Sequence, residues 1–330
     1  MRPLGIKTPA DECCVKISGL ILGTATVVLS FARVAQSAET LSGLFATDST
    51  NALTIRVAAV QMEGVHGGIV PNQAKATKLI REAAEQGARY ILLPELYALF
   101  PIAIWAKSVD DVRAEAQAVP GPLTDQMLAL ARELKVCIAF GMLEKRGDKM
   151  FNSVVFLGPD GISETYSKRC MVTHEGLRKL AEKRSGKVDP KPAKLQGPDE
   201  GELFTKGTKE GLVKWGGLKV GVLICADGGF DGWWHYLAAN GAQLLAFPVA
   251  NSGGPLLDPP LPNEIARKYE LPMIVANHLP KQMLHIGNSQ VINARGEILA
   301  KSVSAPDTVV VGDVQIAPAH YRAQGLQGPP

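Results

Sequence analysis

Cysteine is scarce: five thiols in 330 residues cannot build the dense disulfide framework of a small secreted scaffold. No two of them form a Cys-x-x-Cys pair, and no His-Glu-x-x-His helix or histidine cluster accompanies them, so neither a metal nor another cofactor is expected. An excess of one charge is lacking too. Lys plus Arg number 35 against 32 for Asp plus Glu, and the net charge of +3 is not gathered into a basic stripe, which removes nucleic acid from the expected partners. No apolar run reaches the roughly 20 residues that span a bilayer as a helix. Glycine-rich phosphate loops and dinucleotide fingerprints are also missing. What remains is 46% hydrophobic and 20% charged, the composition of an ordinary globular protein with enough chain for a large core.

The start of the chain stands apart. Ile17 to Ala32 is an uncharged apolar run of 16 residues preceded by Arg2, Lys7 and Lys16, and small residues at Ala35 and Ser37 fit a cut near Ala38. Residues 1–38 therefore read as a signal peptide, with an uncleaved N-terminal anchor as the alternative. The first reading places the mature protein outside the cell or in the periplasm. The alternatives are a cytoplasmic protein or one touching a membrane only through residues 17–32. Removal of the segment takes Cys13 and Cys14 with it and leaves Cys137, Cys170 and Cys225.

After a linker at 39–53, short β-rich runs alternate with longer amphipathic ones up to about residue 315. Strands are predicted at 54–60, 89–93, 136–140, 218–225, within 242–250 and at 271–277. Helices are predicted at 72–87, from Pro122 with Thr124 in a capping position, from Gly232 and from Pro262. The turn signal "GPDG" at 158–161 and the stretch 288–302 predict hairpins. Residues 174–217, charged and weakly periodic, read as one long surface excursion, and 316–330 as a tail. Alternating strand and helix indicates an α/β fold.

Three apolar runs end on a reactive side chain: Glu95 in "LLPEL", Lys168 in "ISETYSK" and Cys225 in "VGVLIC". Groups at the carboxyl ends of strands line the ligand crevice of α/β sheets, so the three can converge. Singly, each has a plainer reading as a loop carboxylate, a surface lysine or a packed thiol.

Taken together, "LLPELY", "YSKR" and "GVLICAD" resemble the glutamate, lysine and cysteine motifs of the nitrilase superfamily of carbon-nitrogen hydrolases, over residues 54–315. The resemblance implies an αββα sandwich and a cysteine enzyme that hydrolyses a small amide or N-carbamoyl compound through a thioester. In it Cys225 attacks, Glu95 moves the proton, and Lys168 steadies the oxyanion with the Ala226 N–H. It also aligns Glu144 with a second glutamate that holds Lys168, against the plainer reading of an ion pair with Lys145 or Arg146. A homodimer or larger homo-oligomer is implied as well.

Lesser candidates for the substrate wall are Tyr97, Asp227, Trp233, Ala250 and Asn251. For Tyr97 and Trp233, as for Trp234, core packing is the alternative; for Ala250 and Asn251 it is a glycine-rich turn. The family's aromatic-Pro-Glu after the cysteine motif is replaced by "GGFDGWWH". Ala226 and Asp227 stand where nitrilases carry Trp-Glu, which favours an amide over a nitrile. Acyl transfer on the same three residues, a non-catalytic binding relative, and a Cys-His glutaminase drawing on His174, His235, His278, His285 or His320 are the competing readings.

Overall fold

Strand β2, Leu53–Gln61, shows why the chain builds two layers of sheet. Ile55, Val57 and Ala59 are buried on one side and Ala58 and Val60 on the other, as the two-residue period of a strand requires. A strand apolar on both faces needs cover on both. The computed structural model describes residues 46–47, 53–65, 68–99, 108–173, 175, 198–250, 261–279, 287–302 and 307–317. The N-terminal segment at 1–38, most of the linker and tail, Asn251, His174, His285 and His320 lie outside the described residues.

In the first sheet β2 runs parallel to β3 (Tyr90–Leu92), and β3 to β4 (Cys137–Arg146). Hairpins then add β5 (Lys149–Gly158) and β6 (Gly161–Ser167). The second of these turns at the expected Pro-Asp-Gly signal. The two-residue strand β1 (Ala46–Thr47) meets the start of β2. The far edge of β2 is covered along its whole length by antiparallel β13 (Thr308–Ile316). The second sheet has the order β12-β11-β10-β9-β8-β7, from β7 (Leu212–Trp215), β8 (Leu218–Val222), β9 (Leu244–Val249), β10 (Met273–Asn277), β11 (Ser289–Ile292) and β12 (Ile298–Ser302). Its centre, β8-β9-β10, is parallel.

The sheets pack face to face and helices cover their outer sides. Helices α1 (Ile69–Glu85) and α3 (Pro122–Leu134) lie on the first sheet, burying Leu79, Ile80, Met127 and Leu130 against Ala58, Val60, Ile138 and Phe140. Helices α5 (Asp231–Ala239) and α6 (Leu261–Lys268) lie on the second. Between the sheets, Trp215 meets Tyr90 and Phe156 edge-on, at 5.1 and 5.5 Å between centroids, and its indole N–H donates to the Leu157 carbonyl at 3.2 Å. This is the αββα sandwich.

Two local expectations are corrected. Helix α3 is capped by Gly121, with Pro122 at its first position; Thr124 instead reaches back from the third position to accept the Gly121 N–H at 2.7 Å. The excursion at 174–217 is not uniform surface, because Glu200–Leu203 forms the short helix α4 and Leu212–Trp215 is strand β7. Helix α2 is Val109–Glu115, closed by a Ser108–Asp111 capping box.

Candidate active site

Strands β3, β8 and β9 end at one edge of the sandwich, and β6 ends there too, because it is antiparallel to the antiparallel partner of β4. Glu95, Lys168, Cys225 and Ala250 each follow one of these ends. His278 follows β10 at the same edge and crosses to the first sheet, where its Nε2 lies 2.7 Å from the Glu95 carbonyl oxygen.

The cluster is centred on Lys168, which is 1% exposed. Its ammonium donates to Glu95 Oε1 at 2.8 Å and to both oxygens of Glu200 at 2.7 and 2.9 Å. Burial works to lower the Lys168 pKa, but the Glu200 and Glu95 carboxylates outweigh it and hold it well above the ordinary lysine value. Glu95, itself 2% exposed, also accepts from Asn152 Nδ2 on Oε1 at 2.7 Å. Its Oε2 takes no hydrogen bond from any described residue.

Cys225 opens a 3-10 turn, Cys225–Gly229, with φ of 45°, a left-handed conformation that side-chain-bearing residues adopt at some strain. The turn lifts the thiol out of the line of β8. Burial pushes the thiol pKa up strongly and the Glu95 charge adds to this, while Lys168 and a hydrogen bond from the Ala250 backbone N–H pull it back only in part. The resting nucleophile is therefore a neutral thiol, and attack needs a base. The Ala226 N–H, one residue on, has no acceptor among the described residues.

Glu144 does not hold Lys168. Register places Glu144, Met142, Ser153 and Ser167 on one face of the β4-β5-β6 sheet and Asn152 on the other, to which Lys168, next after Ser167, also turns. The Glu144 carboxylate is gripped instead by Arg146, which also donates to Ser167 Oγ at 2.8 Å. The second carboxylate on Lys168, beside Glu95, is Glu200, from α4, a residue that motif reading missed. Its half-buried side chain also accepts the Val172 N–H at 2.7 Å, which ties the chain beyond Lys168 to it.

Other candidates are redistributed. Tyr97 is fully buried on the helix side of the first sheet, packed edge-on to Phe140 and hydrogen-bonded to Gln73, so it does not face the cluster. Asp227 is sealed beneath the cysteine turn with every oxygen engaged by protein donors, so it is not a substrate wall. Trp233 is half-buried, carries the Arg169 guanidinium 4.1 Å above its ring and stacks on Phe230; Trp234 is core. Ala250 touches the thiol through its N–H. Among the described residues no three His, Cys, Asp or Glu side chains are gathered to hold a metal ion, and the one histidine at this edge with a contact to the cluster, His278, meets a backbone carbonyl rather than Cys225.

The arrangement joins a neutral thiol, a carboxylate with one unengaged oxygen, a fixed ammonium and a backbone N–H. That set can add a thiol to a carbonyl and stabilise the oxyanion formed.

The family model for carbon-nitrogen hydrolases matches residues 56–320. A nitrilase of Pyrococcus abyssi is 29% identical over 265 residues, covering 79% of this chain and 90% of the relative. An omega-amidase of Bos taurus is 28% identical over 272 residues, covering 80% and 89%. Among solved structures, an amidase from Nesterenkonia sp. AN1 superposes with a TM-score of 0.62 at 20% identity, covering 83% of this chain and 94% of that one; it carries the acetamide moiety of fluoroacetamide on its active-site cysteine.

Proposed function

The chain belongs to the carbon-nitrogen hydrolase family and hydrolyses C–N bonds, and from that premise we propose that it acts on a small linear amide or N-carbamoyl compound through a thioester on Cys225. The observation that carries this reading is the division of labour at Glu95. Oε1 is committed to Lys168 and Asn152, and Oε2 is left for the thiol proton. As Cys225 Sγ bonds to the carbonyl carbon, Glu95 takes that proton, and the oxyanion is met by the Lys168 ammonium and the Ala226 N–H. Collapse breaks the C–N bond, and Glu95 returns the proton to the departing ammonia or amine. Water then attacks the thioester, losing a proton to Glu95, and the carboxylic acid leaves as the thiol is restored.

Glu200 keeps Lys168 charged and fixed, so that the oxyanion meets a cation that need not move. An amide is favoured over a nitrile by Ala226 and Asp227, which stand where nitrilases carry Trp-Glu; the likenesses to a nitrilase and to an omega-amidase are of similar strength and do not decide between the two. The test is ammonia release from a panel of short amides, N-carbamoyl compounds and matching nitriles by the parent and its Cys225→Ala variant. Release from an amide or carbamoyl group by the parent alone, with acyl-Cys225 trapped at low pH, is expected. Release from nitriles only, or equal release by the variant, overturns the reading.

A further inference from the structure

Asp227 stands two residues after the nucleophile, is wholly inaccessible to solvent and touches neither Lys168 nor Glu95 by hydrogen bond. Its carboxylate instead gathers four donors from the two segments that carry the cluster. Oδ2 accepts from the Tyr166 hydroxyl at 2.8 Å and from the Ile224 N–H at 3.2 Å. Oδ1 accepts from the Arg169 N–H at 3.0 Å and from the Cys170 N–H at 2.7 Å. Tyr166 lies on β6 two residues before Lys168, Arg169 and Cys170 follow Lys168, and Ile224 immediately precedes Cys225. β6 belongs to the first sheet and the cysteine turn to the second, so this one side chain bridges the sheets where their chemistry meets.

We propose that Asp227 is a positioning residue that fixes the spacing of Lys168 and Cys225 by binding both of their segments as an ionised carboxylate, and that protonation releases this clamp. An ionised carboxylate offers about four lone-pair positions, and here all are taken by donors that have no proton acceptor role to exchange, apart from the tyrosine hydroxyl. A proton on Oδ1 must therefore displace one of two backbone N–H donors, and a proton on Oδ2 must reverse the bond to the Tyr166 hydroxyl or displace the Ile224 N–H. Burial, opposed by the Cys170 N–H and by the Lys168 charge, pushes the Asp227 pKa up to about 6. The clamp is thus closed near neutral pH and opens in mild acid. The ionisable groups around it are the Tyr166 hydroxyl, the Lys168 ammonium, the Arg169 guanidinium and the thiols of Cys170 and Cys225. Burial and the Asp227 charge hold the tyrosine well above its ordinary value, so it stays a donor throughout this range.

The inference rests on Cys225 as nucleophile but not on any substrate, so iodoacetamide is the probe. Its rate of reaction at Cys225 is followed by peptide mass spectrometry across about pH 4.5 to 8, in the full chain and in Asp227→Asn and Tyr166→Phe. The parent should show a break near pH 6 where the clamp protonates. Asp227→Asn, which keeps the shape but supplies an N–H where an acceptor is needed, should label roughly tenfold more slowly at neutral pH and lose that break. Tyr166→Phe removes one donor to the ionised form, so its break should move up by about one pH unit. A break that is the same in the parent and both variants overturns the proposal. If Asp227→Asn fails to fold, an unshifted break in Tyr166→Phe overturns it alone. A purely structural carboxylate would lower thermal stability without moving either break.

Discussion

One ammonium stands between two carboxylates in the site, and the two do different work. Among the described residues Glu95 keeps one oxygen without a donor, while an amide donor, Asn152, holds the other in place; Glu200 uses both oxygens on Lys168 and the Val172 N–H. Glu200→Gln should therefore lower kcat by about 10²-fold with little change in KM, since it weakens a cation used at the transition state. Glu144→Gln should leave kcat near that of the parent, because Glu144 serves Arg146 on the opposite face of the sheet. Equal losses in the two variants would contradict this assignment. Asn152→Ala removes a donor to a buried carboxylate. It should cost about 1–3 kcal/mol of stability and reduce turnover as well, measured by denaturant unfolding and steady-state rates. At this scale the sequence is legible where chemistry coincides with a strand end, as at Glu95, Lys168 and Cys225. It is silent at Glu200, which sits on one turn of helix inside a polar stretch and acquires meaning only from where that turn is folded. Glu144 misleads because alternation along β4 turns it away from Lys168, and alternation relative to a neighbouring strand is set by register, not by local sequence.

The turn that carries Glu95 packs closely on its neighbouring strand because a glycine stands at the contact. Gly141, in β4, lies beneath the Glu95 turn: a Cβ there would fall 2.5 Å from the Leu96 nitrogen, 2.6 Å from the Pro94 carbonyl oxygen and 2.7 Å from the Glu95 Cα. None of these backbone atoms can yield without moving Glu95. Gly141→Ala should thus cut kcat by about 10²-fold, because even an ångström-scale shift of a proton-transfer group has that effect. Gly232, in α5, has open space around its Cβ position. Gly232→Ala should leave activity intact and stabilise the fold by about 0.5–1 kcal/mol, which thermal unfolding would register. Loss of activity in both, or in neither, would mean that the Glu95 turn is not set by this approach. Strands such as β2 and the hairpin at Pro159–Asp160 are readable because apolar period and turn chemistry agree. β13 is not anticipated, since Gly312 and Asp313 interrupt its valine run and read locally as a turn. It becomes a strand through nine residue pairs with β2, a partner some 250 residues earlier in the chain.

Across the whole molecule, catalytic placement is bought with stability, and Asp227 allows the exchange to be measured. Its pKa is raised from 3.8 to about 6 in the folded state because burial removes water from the carboxylate. Below about pH 4 both the folded and unfolded chains hold this proton, and the group contributes nothing to the pH dependence. Between about pH 4 and 6 the unfolded chain gives up the proton first, so stability falls as pH rises; above pH 6 the loss is complete and constant. Two pKa units correspond to about 3 kcal/mol. The unfolding free energy of the parent minus that of Asp227→Asn should therefore decline by about that amount from pH 4 to pH 6.5, measured by urea titration at each pH. Over the same interval the reactivity of Cys225 in the parent should rise, because the ionised clamp that weakens the fold is the one that aligns the two sheets at the site. If the stability difference were flat, folding would leave the carboxylate unperturbed, and if it rose with pH the folded protein would prefer the ionised form. The opposed trends of stability and reactivity, and with them the argument that this edge of the sandwich is strained for function, would then fail together.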